Sequence, residues 1–281
     1  MNHWGMDFRK LLAATWLVIA CSVGAQTIEM LAVKARGGDA AAQFELGQRY
    51  ASGVGVPIDR TRALEFYGNA AAQRFGPAEY ALARHYSGQG GTTVDQRQAL
   101  AYMTKAAEHG HIPAQVDLAF IFLNGNMQMP KDQAKAYRWF RQAAAGGAIR
   151  AQCMLGDFHR SGLGGAKQDY AEAFRWFKQT ATTNDPCARK SQYELYVAYD
   201  AGQGVEKNLA MATEWLRRAA ESGDPRAQAQ LGRNYQTGYG VRQDSERARF
   251  WLRKSREGVS HHEDHLHQED HADDHDKAPK R

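Results

Sequence analysis

The sequence predicts an all-α fold, a right-handed α/α superhelical solenoid of about six two-helix repeats. Three recurring features predict it. The first is a pair of columns three residues apart, Ala63, Ala99, Ala136, Ala173, Ala212 and Ala248 followed by Phe66, Tyr102, Trp139, Trp176, Trp215 and Trp251. The second is a pair four apart, Leu46, Leu82, Leu118, Leu155, Leu195 and Leu231 followed by Tyr50, Tyr86, Phe122, His159, Tyr199 and Tyr235. Spacings of three and four place both members of a pair on one helical face. The third is punctuation between them: a glycine turn (Gly53-Val54-Gly55, Gly162-Leu163-Gly164, Gly238-Tyr239-Gly240) and then Asp59, Asp95, Asp132, Asp169, Asn208 or Asp244. Glycine suits the left-handed residue that ends a helix, and Asp or Asn suits the N-cap of the next one. The third copy degrades the turn to Gly125-Asn126-Met127-Gln128. No single unit can bury its apolar face alone, so the units must stack. On this reading the aromatic column of the second helix belongs to the core.

The repeats are expected over 39–258, preceded by a capping half-repeat at 26–38. Residues 1–25 read as an export signal: Arg9 and Lys10, the apolar stretch Leu11 to Ala20, and a small-residue cleavage site at Val23-Gly24-Ala25. The apolar stretch is too short to span a bilayer as a helix. Val18-Ile19-Ala20-Cys21 also resembles a lipobox, so cleavage before Gln26 and lipidation at Cys21 both stand. The expected location is the bacterial periplasm, with an outer-membrane lipoprotein as the other reading. Any membrane attachment would run through Cys21. Processing leaves Cys153 and Cys187, which either form one disulfide or, as the reading preferred here has it, remain buried free thiols.

The pattern Ala-Gln-x-x-Leu-Gly (Ala42 to Gly47, Ala151 to Gly156, Ala227 to Gly232), with the glycine turn and Ala-x-x-Trp, resembles the Sel-1-like repeat, a relative of the tetratricopeptide repeat. The resemblance covers roughly residues 28–258. It implies a scaffold or adaptor that binds a protein or peptide and is not an enzyme. Repeat five departs from the pattern: Leu195 arrives four residues late and Tyr196 stands where the glycine is expected.

No catalytic motif of the Gly-x-Ser-x-Gly, Walker or His-Glu-x-x-His type occurs, so no catalytic residue is assigned and no cofactor is required. Two variable columns of the first helix supply the candidate partner-binding residues Arg84, His85, Phe120, Ile121, Phe158 and Val197. Facing a groove, they would offer an apolar patch flanked by basic residues to an acidic peptide; the competing reading packs them between repeats. The formal charge of +5 hides an asymmetry. Residues 259–281 hold seven acidic and three basic side chains, a net −4, leaving about +9 on the rest. That excess suggests nucleic acid only weakly, because no aromatic-basic motif accompanies it. The tail is expected to be disordered. Its His261, His262, His265, His267, His271 and His275, interleaved with acids, suit zinc, copper or nickel.

Overall fold

The computed structural model describes residues 28–89, 94–126 and 129–269, with side chains to 257. The secondary structure is helical, and no strand occurs among the described residues. A short helix α1 (28–36) precedes six pairs. Their first helices are α2 (Ala40–Ser52), α4 (Gly76–Tyr86), α6 (Ile112–Asn124), α8 (Ile149–Ser161), α10 (Cys187–Ala201) and α12 (Pro225–Thr237). Their second helices are α3 (Arg60–Ala72), α5 (Gln96–Glu108), α7 (Gln133–Ala145), α9 (Tyr170–Thr180), α11 (Leu209–Glu221) and α13 (Ser245–Glu269). The chain divides into two compact units, one ending at Leu118 and the other beginning at Ala119. Within each, consecutive helices stack in the manner of an α-solenoid.

Every second helix starts on the expected cap. The Oδ1 atoms of Asp59, Asp95, Asp132, Asp169, Asn208 and Asp244 accept the N–H three residues on at 2.9–3.0 Å. The backbone N–H of each cap donates to the carbonyl of Tyr50, Tyr86, Phe122, His159, Tyr199 or Tyr235 at 2.8–2.9 Å. The cap therefore satisfies an orphan donor of one helix while pinning it to the last turn of its partner.

The deepest aromatic column lies one position later than expected. Phe66, Tyr102, Trp139, Trp176 and Trp251 are half-buried, and of that column only Trp215 is buried. The buried positions are Tyr67, Phe140, Phe177 and Leu216. Tyr67 and Phe177 meet the glycine column of the first helix: a Cβ added at Gly47 would stand 2.6 Å from the Tyr67 ring and one at Gly156 2.5 Å from the Phe177 ring. In the sixth repeat one at Gly232 would stand 2.7 Å from Leu252, the residue after Trp251. The half-buried rings instead stack on the first helix of the same repeat, Tyr50 on Phe66 and Tyr86 on Tyr102, at 5.7 Å each. In repeat five the glycine column holds Tyr196, buried, opposite the smaller Leu216.

A buried glutamine links successive repeats. The Nε2 atoms of Gln43, Gln115, Gln152 and Gln228 donate to the carbonyls of Ala35, Ala107, Ala144 and Ala220, eight residues back, at 3.1–3.3 Å. Repeat five uses Gln192 to Ala181 at 2.9 Å. In repeat two the position is Glu79, 2% exposed, whose Oε2 lies 2.7 Å from Nδ1 of His109.

Two expectations change. Cys153 and Cys187 form a disulfide, with Cα atoms 6.5 Å apart, rather than two free thiols. Repeat five begins early, and Cys187 becomes the first residue of α10, beside Cys153 on α8. The segment expected to be a disordered tail is helical as far as Glu269, because α13 is already nucleated by packing and no Gly or Pro follows Gly258 before that point. Residues 1–25, including Cys21, and His271 and His275 lie outside the described residues. Among the described residues no helix is long and apolar enough to cross a membrane.

Candidate functional site

Within the first unit, α2, α3, α4 and the start of α6 surround a cavity of about 470 Å³. Helical spacing builds its walls. Phe44 and Gln48 of α2 are four residues apart, as are Tyr80 and Arg84 of α4, so each pair shares a face. Phe44, Leu64, Tyr67 and Tyr80 form the apolar lining, and Gln48, Arg60, Arg84 and Gln89 stand exposed around it. The Phe44 ring is 5.7 Å from that of Tyr67 and 5.6 Å from that of Phe75, which braces the floor.

Tyr80 is the most constrained wall residue. Its hydroxyl donates to Asp117 Oδ2 at 2.7 Å, and its ring lies 4.7 Å from that of His111. Burial and the Asp117 bond push the Tyr80 phenol up to about 12, so it stays a donor across the physiological range. Burial lowers His111, which keeps its imidazole neutral near pH 7. The Arg84 guanidinium lies 6.0 Å from the Tyr80 ring, and its Nε donates to Gln89. Among the described residues neither Arg60 nor Arg84 makes an ion pair. Such a site is shaped to hold an apolar group with polar contacts at its edge. It contains no nucleophile paired with a base.

Of the residues selected from sequence, Arg84 and His85 line this cavity. The other four belong to the second unit and do not form one patch there. Phe120 is half-buried, with the Arg150 guanidinium 4.3 Å from its ring and Phe140 edge-on at 5.0 Å. Ile121 is also half-buried. Phe158 is 3% exposed and packs near Tyr137 and Phe140. Val197 packs against the core of α9 to α13. Phe44, Leu64, Tyr67 and Tyr80 were not selected from sequence. The signal that would have found Phe44 and Tyr80 is the i, i+4 relation to Gln48 and Arg84, carried one turn toward the helix N-terminus; Leu64 and Tyr67 come from α3 and carry no such mark.

The second unit instead carries charge on its first helices. Glu194, nearly buried, lies 3.5 Å from Arg160 Nε and 3.6 Å from Arg226 Nη1. Burial raises its carboxyl above the usual range, and Arg160 pulls it back. Lys190 pairs with Asp157 beside it.

A family model for the Sel1 repeat matches six times, at residues 40–75, 76–111, 112–147, 149–184, 190–224 and 225–258. The chain belongs to the Sel1 repeat family. Its fold is similar to that of a protective antigen present in uropathogenic Escherichia coli strains, with 36% identity and a TM-score of 0.67 over 82% of this chain. This chain spans about half of that antigen's length, 48%. A Sel1 repeat protein from Oxalobacter formigenes is 28% identical, with a TM-score of 0.60 over 78% of this chain and 85% of its own. No curated protein matches the chain. Sel1 repeat proteins generally act as protein-interaction scaffolds, and the family is typically non-catalytic.

Proposed function

We propose that this protein is an exported scaffold that binds a protein or peptide partner in the cavity bounded by α2, α3 and α4. The observation that supports the binding site is the 470 Å³ cavity, with aromatic walls and a polar edge, on a fold whose family serves interaction. The support for export is the sequence pattern of residues 1–25, and an anchor at Cys21 is part of the same reading. The test is panning of a displayed peptide library on the chain from Gln26 onward, against an Ala51→Trp variant. Ala51 is exposed and lines the cavity, so an indole there fills the space without touching the core. Selected peptides should lose binding to the variant while its melting temperature holds. Peptides that bind both proteins equally would place the interaction elsewhere.

A second reading is favoured by the extension of α13 to Glu269. It puts His261 and His265 one helical turn apart in register, a spacing that suits two imidazole ligands of zinc, copper or nickel. Calorimetric titration of nickel into the full chain and into a chain ending at Gly258 separates the readings. Metal affinity that survives the truncation excludes the tail as its source.

A further inference from the structure

From the charge around the cavity of the first unit we infer its ligand class: a peptide segment in which a large apolar side chain is flanked by Asp or Glu. This rests on the reading of that cavity as a peptide site and adds what it recognises.

The nearby carboxylates are already engaged. Asp117 accepts from Tyr80 at 2.7 Å, Glu45 pairs with Arg49 at 2.8 Å, Glu79 lies against His109, and Asp59 caps α3 and meets Arg62 at 3.4 Å. None of these acids lines the cavity, whereas Arg60 and Arg84 do. Gln89 takes only the Nε of Arg84, so the two Nη groups remain as a fork that matches a carboxylate. Arg60 begins α3 and Arg84 lies near the end of α4, so the two cations come from different walls. The same cavity is lined by Phe44, Leu64 and Tyr67, which gain from burying an aliphatic or aromatic group and offer no charge to balance a cation. A lysine entering here would meet two like charges and no acid. The volume holds one large side chain with its adjoining backbone. Acid on either side of an apolar residue is the ligand that uses both arginines and the lining together.

The test uses the chain from Gln26 onward and heptapeptides acetylated and amidated at their ends. The parent is Ser-Gly-Glu-Phe-Glu-Gly-Ser, and its counterparts carry Gln or Lys for both Glu, or Gly for Phe. Amide chemical-shift titration at about 50 mM salt, where screening is weak, reads both affinity and location. The acidic peptide should shift residues of α2, α3 and α4 and bind about tenfold more tightly than its Gln counterpart, a gap of about 1.4 kcal/mol. The double variant Arg60→Gln, Arg84→Gln should close that gap without changing the melting temperature, because both side chains are exposed. Equal binding of the Glu and Gln peptides, or a gap that survives the double variant, overturns the inference and leaves the scaffold reading standing. Shifts confined to other helices also overturn it, as does absence of any shift. Binding of a free-acid Ser-Gly-Ser-Gly-Phe but not of the acidic parent would make the ligand a chain terminus and overturn the internal segment inferred here. The scaffold reading itself falls only with the panning experiment.

Discussion

Oε2 of Glu79 lies 2.7 Å from Nδ1 of His109, at the position where four other repeats place a glutamine amide against a carbonyl eight residues back. A carboxylate cannot donate to that carbonyl, so repeat two replaces a neutral clasp with an acid held by an imidazole. Burying an ionised group costs several kcal/mol before its partner offsets it, whereas the amide clasp carries no such cost.

Glu79→Gln is therefore expected to leave stability unchanged or raise it by about 1 kcal/mol. His109→Ala should destabilise the parent more than it destabilises the Glu79→Gln protein. Urea unfolding of the four proteins of this cycle measures the coupling. A Glu79→Gln loss of more than about 2 kcal/mol would mean that the amide does not reach the carbonyl of Ala71.

In the second unit, Phe140→Ala should cost about 3–5 kcal/mol, the range for removing a fully buried aromatic side chain. Phe140 is 0% exposed, while its neighbour Trp139 is half-buried, so Trp139→Ala should cost about half as much. Thermal unfolding of the two variants decides between the two columns. The opposite order would return the tryptophans to the deepest layer.

The Cys153–Cys187 bridge closes a loop of 34 residues between α8 and α10. A loop of that size contributes about 3–4 kcal/mol through the unfolded chain. Reductant, or Cys153→Ser with Cys187→Ser, should lower the melting temperature, and reductant should have no further effect on the double variant. A melting temperature indifferent to both would show that the thiols are free.

Backbone N–H groups hold the Asp95, Asp132 and Asp169 carboxyls below the usual carboxylate range. Because these folded-state values are depressed, their contribution is present above the unfolded carboxylate pKa of about 4 and is lost as pH falls through the folded values. Changing all three to Asn keeps the cap acceptor and removes the titration. The triple variant should lose less stability than the parent between about pH 5 and pH 2. Parallel pH profiles of the two proteins would contradict this origin.

The columns, turns and caps were legible in the sequence because the columns and caps repeat six times, the glycine turn five, and each has a local physical cause. Asp132 is a cap wherever α7 goes. The cavity was legible only in part. Arg84 and His85 were found because they vary between copies, but Phe44 and Tyr80 line it from positions that also read as ordinary packing. Depth was misassigned by one position, since a column of tryptophan looks more core-like than Tyr67, Phe140, Phe177 and Leu216 until Gly47 and Gly156 are seen to meet the rings of Tyr67 and Phe177. The disulfide depended on where α10 begins, which the irregular fifth repeat obscured. Arg74, at φ 61°, occupies a left-handed site that glycine fills at Gly38, Gly110, Gly147 and Gly223, and sequence alone does not mark it.

The glutamine clasp has a kinetic meaning. Four of its five copies close over only eight residues, so the bond joining one repeat to the next forms without gathering distant parts of the chain. Loop-closure entropy is small at that range, and folding rates rise as contacts become local. An array knit in this way can add or lose a whole copy without lengthening the search that each copy makes for its neighbour.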